Sequence, residues 1–126
     1  MQARIPVVIT GMGAVTALGP DLAAFAAGLR EGRSGIGPLR LFDATGYRSA
    51  QVGEAEEPAF PELTGLADRA DAAVLRHSSR PDRFGLRAAL SAFADAGLAE
   101  LDDEARARLA VVFGTGTGGA RETERY

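Results

Sequence analysis

Two short apolar runs, Ile5 to Thr10 and Leu109 to Phe113, constrain this 126-residue chain more than any other feature. Both are rich in β-branched and apolar residues and both run into glycine, at Gly11 and Gly114. Neither alternates with polar residues, so each reads as a strand covered on both faces rather than one with a wet side. Pro6 stands at the start of the first run, where a missing ladder donor is tolerated. Helical sequence lies between the runs, which predicts a parallel βαβ-type sheet and an α/β fold class. Two strands with helices around them would leave sheet edges open and apolar faces uncovered. The chain is therefore expected not to close its own sheet and to be an incomplete portion of a larger α/β unit.

The first helix is predicted from Pro20 to Glu31, with proline at the first helical position and Asp21 at the positive end of the dipole. Leu22, Phe25, Ala26 and Leu29 fall at i, i+3, i+4 and i+7, making one apolar stripe. Gly32 is placed as its left-handed stop. Residues 33–66 are punctuated by Gly35, Gly37, Pro38, Gly46, Gly53, Pro58, Pro61 and Gly65 and read as irregular. Leu39, Leu41, Phe42 and Tyr47 could pin that excursion to a surface, and a long irregular stretch in a compact domain is normally functional or mobile. A short helix is expected over Asp68 to Arg76.

The second long helix is predicted from Pro81 to Ala96. Its apolar positions, Phe84, Ala88, Ala89, Ala92, Phe93 and Ala96 with Leu86 and Leu90, make a stripe broad enough to imply burial on more than one side. The many small residues allow a neighbour to come close. Gly97-Leu98 is the stop with its following apolar contact. Asp102 is expected to cap a short turn through Ala107, and a further helix is expected to begin at Ala120.

Composition removes several functions. Hydrophobic residues make up 46% and charged residues 25%, an ordinary globular balance. Net charge is -3 with no basic run, so nucleic acid has no obvious footprint. There is no cysteine, which excludes a disulfide framework, a thiolate metal site and a cysteine nucleophile on these residues. The single histidine, His77, cannot build a histidine metal cluster and reads as a surface residue. All fourteen basic side chains are arginine, so no lysine is available as a Schiff-base nucleophile. No apolar run is long enough to span a membrane, and Met1 leads straight into strand-like sequence, so a cytoplasmic protein is expected.

Four clusters could carry chemistry. Gly114-Thr115-Gly116-Thr117-Gly118-Gly119 follows a strand and contains Gly-x-Gly-x-x-Gly, a pattern that can set a pyrophosphate on helix N–H groups. Any tight strand-to-helix turn also favours glycine, and the structural reading leads. Gly11-Met12-Gly13 lacks the third glycine and reads as close backbone packing. Arg76, His77, Arg80, Arg83 and Arg87, with Asp82 the sole acid among them, concentrate positive charge. They form either a solvated helix flank or a docking patch for an acidic partner. Glu54, Glu56 and Glu57 beside prolines read as a solvated loop.

Taken in order, several segments resemble the N-terminal part of the β-ketoacyl synthases, the condensing enzymes of fatty-acid and polyketide synthesis. They are Val7-Val8-Ile9-Thr10-Gly11-Met12-Gly13-Ala14-Val15-Thr16, Gly28-Leu29-Arg30-Glu31-Gly32-Arg33-Ser34-Gly35-Ile36, Phe42-Asp43, Asp82-Arg83-Phe84, Asp95-Ala96-Gly97-Leu98 and Gly114 to Gly119. Residues 56–74 do not match in detail. The resemblance implies a thiolase-like α-β-α-β-α layered fold, of which residues 1–126 would be the N-terminal segment, ending before the catalytic cysteine. It implies a dimer in the full-length form, either a homodimer or a heterodimer with a ketosynthase-like partner.

The resemblance also implies the reaction. An acyl group passes from acyl carrier protein to a cysteine; a malonyl unit on carrier protein loses carbon dioxide, and its carbanion attacks the acyl thioester. Such chemistry needs a thiol of lowered pKa and donors for the developing oxyanion. The family's cysteine and two histidines match no residue here, so no catalytic residue is assigned and the chain alone is expected to be inactive. By resemblance, Gly116, Thr117 and Ala120 border the acyl pocket, with Thr117 where relatives often carry a bulkier aliphatic residue that gates chain length. Arg76 and Arg80 match basic positions that relatives turn to the carrier protein. No cofactor or metal is implied. Two alternatives stand beside this reading: a non-catalytic, chain-length-factor-like homologue, and a small dinucleotide-binding module. Pathway and acyl length are not legible in these residues.

Overall fold

A computed structural model describes residues 6–60, 75, 77–98, 101–116 and 118. Among them the elements run α1 (Leu22–Arg30), β1 (Ile36–Pro38), β2 (Gln51–Gly53), α2 (Arg80–Asp95) and α3 (Asp103–Ala107). The helix expected over Asp68 to Arg76 falls almost wholly outside the described residues, as does the one expected from Ala120.

Helix α1 starts two residues later than the sequence predicts. Asp21 is the N-cap rather than a first-turn residue, its carboxylate accepting the Ala24 N–H at 2.8 Å. A side chain that satisfies an otherwise orphaned donor outweighs the preference of proline for the first helical position, so Pro20 stands ahead of the cap. The C-terminus forms a Schellman closure: Gly32 N–H donates to Leu29 and Arg33 N–H to Gly28, with Gly32 at φ +65. The apolar stripe is only partly covered. Gly28 is buried, Leu22, Phe25 and Ala26 are half-buried, and Leu29 stays exposed.

Helix α2 is the longest element and is specified at both ends. Ser79 accepts the Asp82 N–H while the Asp82 carboxylate accepts the Ser79 N–H at 2.9 Å, a reciprocal capping box. At the other end Gly97 N–H reaches Ala94, Leu98 N–H reaches Phe93, and Gly97 sits at φ +68. The short helix α3 is capped by Asp102 through the Ala105 N–H at 2.7 Å, as the sequence predicts.

The two apolar runs are where structure and expectation part. Residues 6–10 and 109–113 carry no regular secondary structure, and neither has a strand partner among the described residues. The sheet that does form is antiparallel and two-stranded, pairing Ile36 with Gly53, Gly37 with Val52 and Pro38 with Gln51. Leu39 N–H donating to Ala50 prolongs it by one bond. Helical caps are local and form from adjacent residues, whereas a strand in a parallel sheet needs a distant neighbour to supply its ladder. No described apolar side chain is fully buried. The breadth of the α2 stripe therefore translates into partial cover on several sides, not into a core.

What holds the two runs in place is α2. Met12 N–H donates to the Asp95 carboxylate at 2.9 Å. A Cβ added at Gly11 would meet the Ala92 carbonyl and come within 2.6 Å of Ala96 N; one at Gly13 would meet the Ala88 carbonyl oxygen and lie 2.9 Å from Ala92 N. Ala88, Ala92 and Ala96, four residues apart, thus form a small-residue seam against a glycine backbone, the close approach that their size predicts. Phe113 packs at Gly85, where an added Cβ would fall 2.7 Å from its ring.

Candidate functional site

The N-terminal end of α2 gathers a cluster of charged contacts among the described residues. Once the capping box fixes the first turn, Arg80 and Arg83 project within reach of the segment that follows β2. Glu57 bridges them, with Oε2 3.2 Å from Arg80 Nη1 and Oε1 2.8 Å from Arg83 Nη1. Arg80 also donates to the Ala55 carbonyl and lies over the Phe84 ring at 4.8 Å. Arg83 donates from Nε to Ser78 Oγ at 3.3 Å and from Nη2 to the Leu75 carbonyl at 3.2 Å. Pro58, next to Glu57, is buried and anchors this loop.

Asp82 is the acid of this cluster, and its carboxyl is held below the ordinary 3.8. The Ser79 hydroxyl, donating at 2.7 Å, is the main cause, and the Ser79 backbone N–H is the second. Both bonds favour the ionised form. Asp82 is thereby committed to the helix start and does not neutralise the arginines.

Glu54 closes the hairpin loop from beyond β2. Its Oε2 accepts Arg40 N–H at 2.8 Å and Leu41 N–H at 3.3 Å. The Arg40 backbone bond is the largest influence lowering its pKa. Together with Thr16 to Pro20, Arg40 and Glu56, it lines an open recess of about 220 Å³. The reading of Glu54, Glu56 and Glu57 as a solvated loop is corrected on this point: two of the three carboxylates tie the loop to its neighbours. No pattern in the sequence pairs Glu57 with residues 23 and 26 positions away. The Ser79-x-x-Asp82 spacing, by contrast, was a readable signal for the capping box.

Of the residues assigned by resemblance, Arg80 is described and half-buried, with 20% of its side chain exposed. Arg76, Thr117 and Ala120 lie outside the described residues. Gly116 is exposed, and a Cβ added there or at Gly114 would meet nothing within 4 Å among the described residues. His77 is exposed, and the described residues contain no group of histidine, cysteine and carboxylate side chains able to hold a metal. No described helix is long and apolar enough to cross a membrane.

Comparison with known proteins bears on this arrangement. Residues 4–126 match the family described as beta-ketoacyl synthase, N-terminal domain. The 3-oxoacyl-(acyl-carrier-protein) synthase 2 of Synechocystis sp. is 37% identical over 120 residues, 94% of this chain and 27% of that protein. The 3-oxoacyl-(acyl-carrier-protein) synthase 1 of Escherichia coli is 34% identical over 114 residues, 90% of this chain and 26% of that protein. The tetracenomycin polyketide synthase ketoacyl synthase beta subunit of Streptomyces glaucescens is 36% identical over 119 residues, again 94% of this chain and 27% of that protein. The chain thus spans about a quarter of the length of these relatives.

Proposed function

This chain belongs to the beta-ketoacyl synthase N-terminal domain family, and on that premise we propose that it is the N-terminal segment of a 3-oxoacyl-(acyl-carrier-protein) synthase. The family match across residues 4–126 is the observation that carries this reading. The parent protein would join an acyl thioester to a malonyl unit on carrier protein, in fatty-acid or polyketide synthesis. Carbon dioxide leaves the malonyl group, the electron pair released forms the new carbon–carbon bond to the acyl carbonyl, and the thiolate that carried the acyl group departs. The 126 residues contain no cysteine to hold that acyl group, so the thiol must come from elsewhere in such a synthase.

This segment contributes surfaces to that reaction. The glycine-rich turn at Gly116, with Thr117 and Ala120, would border the acyl chain, and the exposure of Gly116 among the described residues fits a backbone approached by a ligand. The arginine end of α2, Arg80 with Arg76, would meet an acidic carrier protein. A layered thiolase-like fold in a dimer would supply the strand partners that residues 6–10 and 109–113 lack among the described residues. A second reading, a non-catalytic ketosynthase-like subunit paired with an active one, is favoured by the likeness to the tetracenomycin beta subunit.

Incubation with acyl- and malonyl-carrier protein tests the main reading. The full-length protein should release carbon dioxide and form 3-oxoacyl-carrier protein, while the 126-residue chain alone should form none. A full-length protein that condenses only when an active partner is added would favour the subunit reading. Turnover by the 126 residues alone would overturn the assignment.

A further inference from the structure

Arg83 makes three ties with one side chain. Its Nη1 lies 2.8 Å from Glu57 Oε1, its Nε donates to Ser78 Oγ at 3.3 Å, and its Nη2 donates to the Leu75 carbonyl at 3.2 Å. Ser78 Oγ donates to the same Leu75 carbonyl at 2.9 Å, which closes a ring of bonds ahead of α2. All three nitrogens of the guanidinium are therefore engaged within the chain. The residues they reach surround the surface that the proposed function assigns to a partner. Leu75 and Ser78 flank Arg76 and His77 in sequence, and Glu57 is shared with Arg80. A planar guanidinium can serve acceptors on separate segments at once, whereas a lysine ammonium is a point donor that keeps the charge and loses the fork.

We propose that Arg83 is a positioning residue for carrier-protein docking: it does not meet the partner itself but holds Leu75, Ser78 and Glu57 in place, so that the docking face is set before the partner arrives. The proposal rests on the reading that carrier protein docks at Arg76 and Arg80. Side chains and loops that become ordered only on binding subtract from affinity, about 0.5–1.5 kcal/mol for each immobilised long side chain. A face fixed in advance by ties from within avoids that cost. Arg83 thus acts through geometry, and its charge is incidental to the contact.

The test titrates full-length protein with carrier protein at low and at high salt. Arg83→Lys, which keeps the charge, should weaken binding roughly three- to tenfold at both, leaving the response to salt as it was. Ser78→Ala, which removes one tie and no charge, should weaken binding by less in the same direction. The double variant Arg76→Glu, Arg80→Glu should weaken binding at low salt and flatten the salt response. In a condensing parent, Arg83→Lys should raise KM for malonyl-carrier protein and spare kcat, a split that general loss of structure would not give. If the double variant weakens binding while Arg83→Lys binds as tightly as the wild type, the positioning role is wrong and the docking surface stands. If the double variant leaves low-salt affinity unchanged, the docking surface fails and the positioning role with it. Amide exchange along α2 reports whether Arg83→Lys keeps the fold; where it does not, Ser78→Ala decides, and unchanged affinity in that variant overturns the proposal.

Discussion

Single side chains decide where the helices of this protein begin. Asp21, Ser79 and Asp102 each close a first turn with a side-chain oxygen that accepts a backbone N–H. Ser79→Ala should cost α2 about 1 kcal/mol, read as lost amide-exchange protection in its first turn. The same turn should be acid-sensitive. Asp82 has a folded pKa below its ordinary 3.8, so its contribution is fully present above that value and is lost as pH falls through the depressed folded value. Exchange at the first turn of α2 should therefore accelerate as pH drops below about 3.8, beyond the intrinsic pH dependence, and Asp82→Asn should abolish the extra sensitivity. A loss of protection identical in the Asn variant would show that the carboxylate is not the titrating group. These contacts were legible in advance to differing degrees. Asp102 is legible from its place before a short helical run, Asp21 caps the helix where its position suggests the first turn, and Glu57 leaves no signal because its partners are far away in sequence.

At the scale of elements, α2 organises what surrounds it. Its alanine seam and the glycines facing it leave no space for a single methyl group. Gly13→Ala should therefore destabilise the docking of residues 11–13 by about 1–3 kcal/mol, since the atoms it would strike are backbone and cannot swing aside. Gly37→Ala, where an added Cβ meets nothing within 4 Å, is the control and should change little. Equal effects in thermal or chemical unfolding would mean that the seam contributes nothing. The seam was foreshadowed by Gly11-Met12-Gly13 and by the small residues of α2. The hairpin of β1 and β2 was not, because three-residue strands built on Gly37, Pro38 and Gly53 carry neither the β-branched content nor the length that marks a strand. Ladder bonds and the Glu54 cap on Arg40 and Leu41 create it instead.

Across the whole molecule, apolar surface is left uncovered. Val7, Val8 and Ile9 are 96%, 71% and 81% exposed, and Val111, Val112 and Phe113 are 85%, 95% and 63% exposed. These are apolar, uncharged segments rich in β-branched residues, a combination that pairs with other chains. The isolated 126 residues should self-associate, with a mass by light scattering that grows with concentration, and should bind a hydrophobic dye. Val8→Lys with Val112→Lys should suppress both. A clean monomer with a cooperative thermal transition would show that the runs find cover within the chain. The sequence points to an open parallel sheet on the two runs, whereas the sheet among the described residues is an antiparallel hairpin of Ile36–Pro38 and Gln51–Gly53. Pairing of the runs is not legible in advance, because periodicity reports which faces want burial and is silent on who buries them.

The glycine–alanine seam also bears on how such a sequence can vary. One residue inserted just after Ala88 would turn the rest of α2 by about 100° and bring Ser91 and Asp95 to the places of Ala92 and Ala96. One residue deleted there would bring Phe93 beneath Gly11 instead. The exposed stretch around Tyr47 faces no such test. Changes in length should therefore be admitted between β1 and β2 and refused within α2, so that the helix keeps its residue count while its composition drifts.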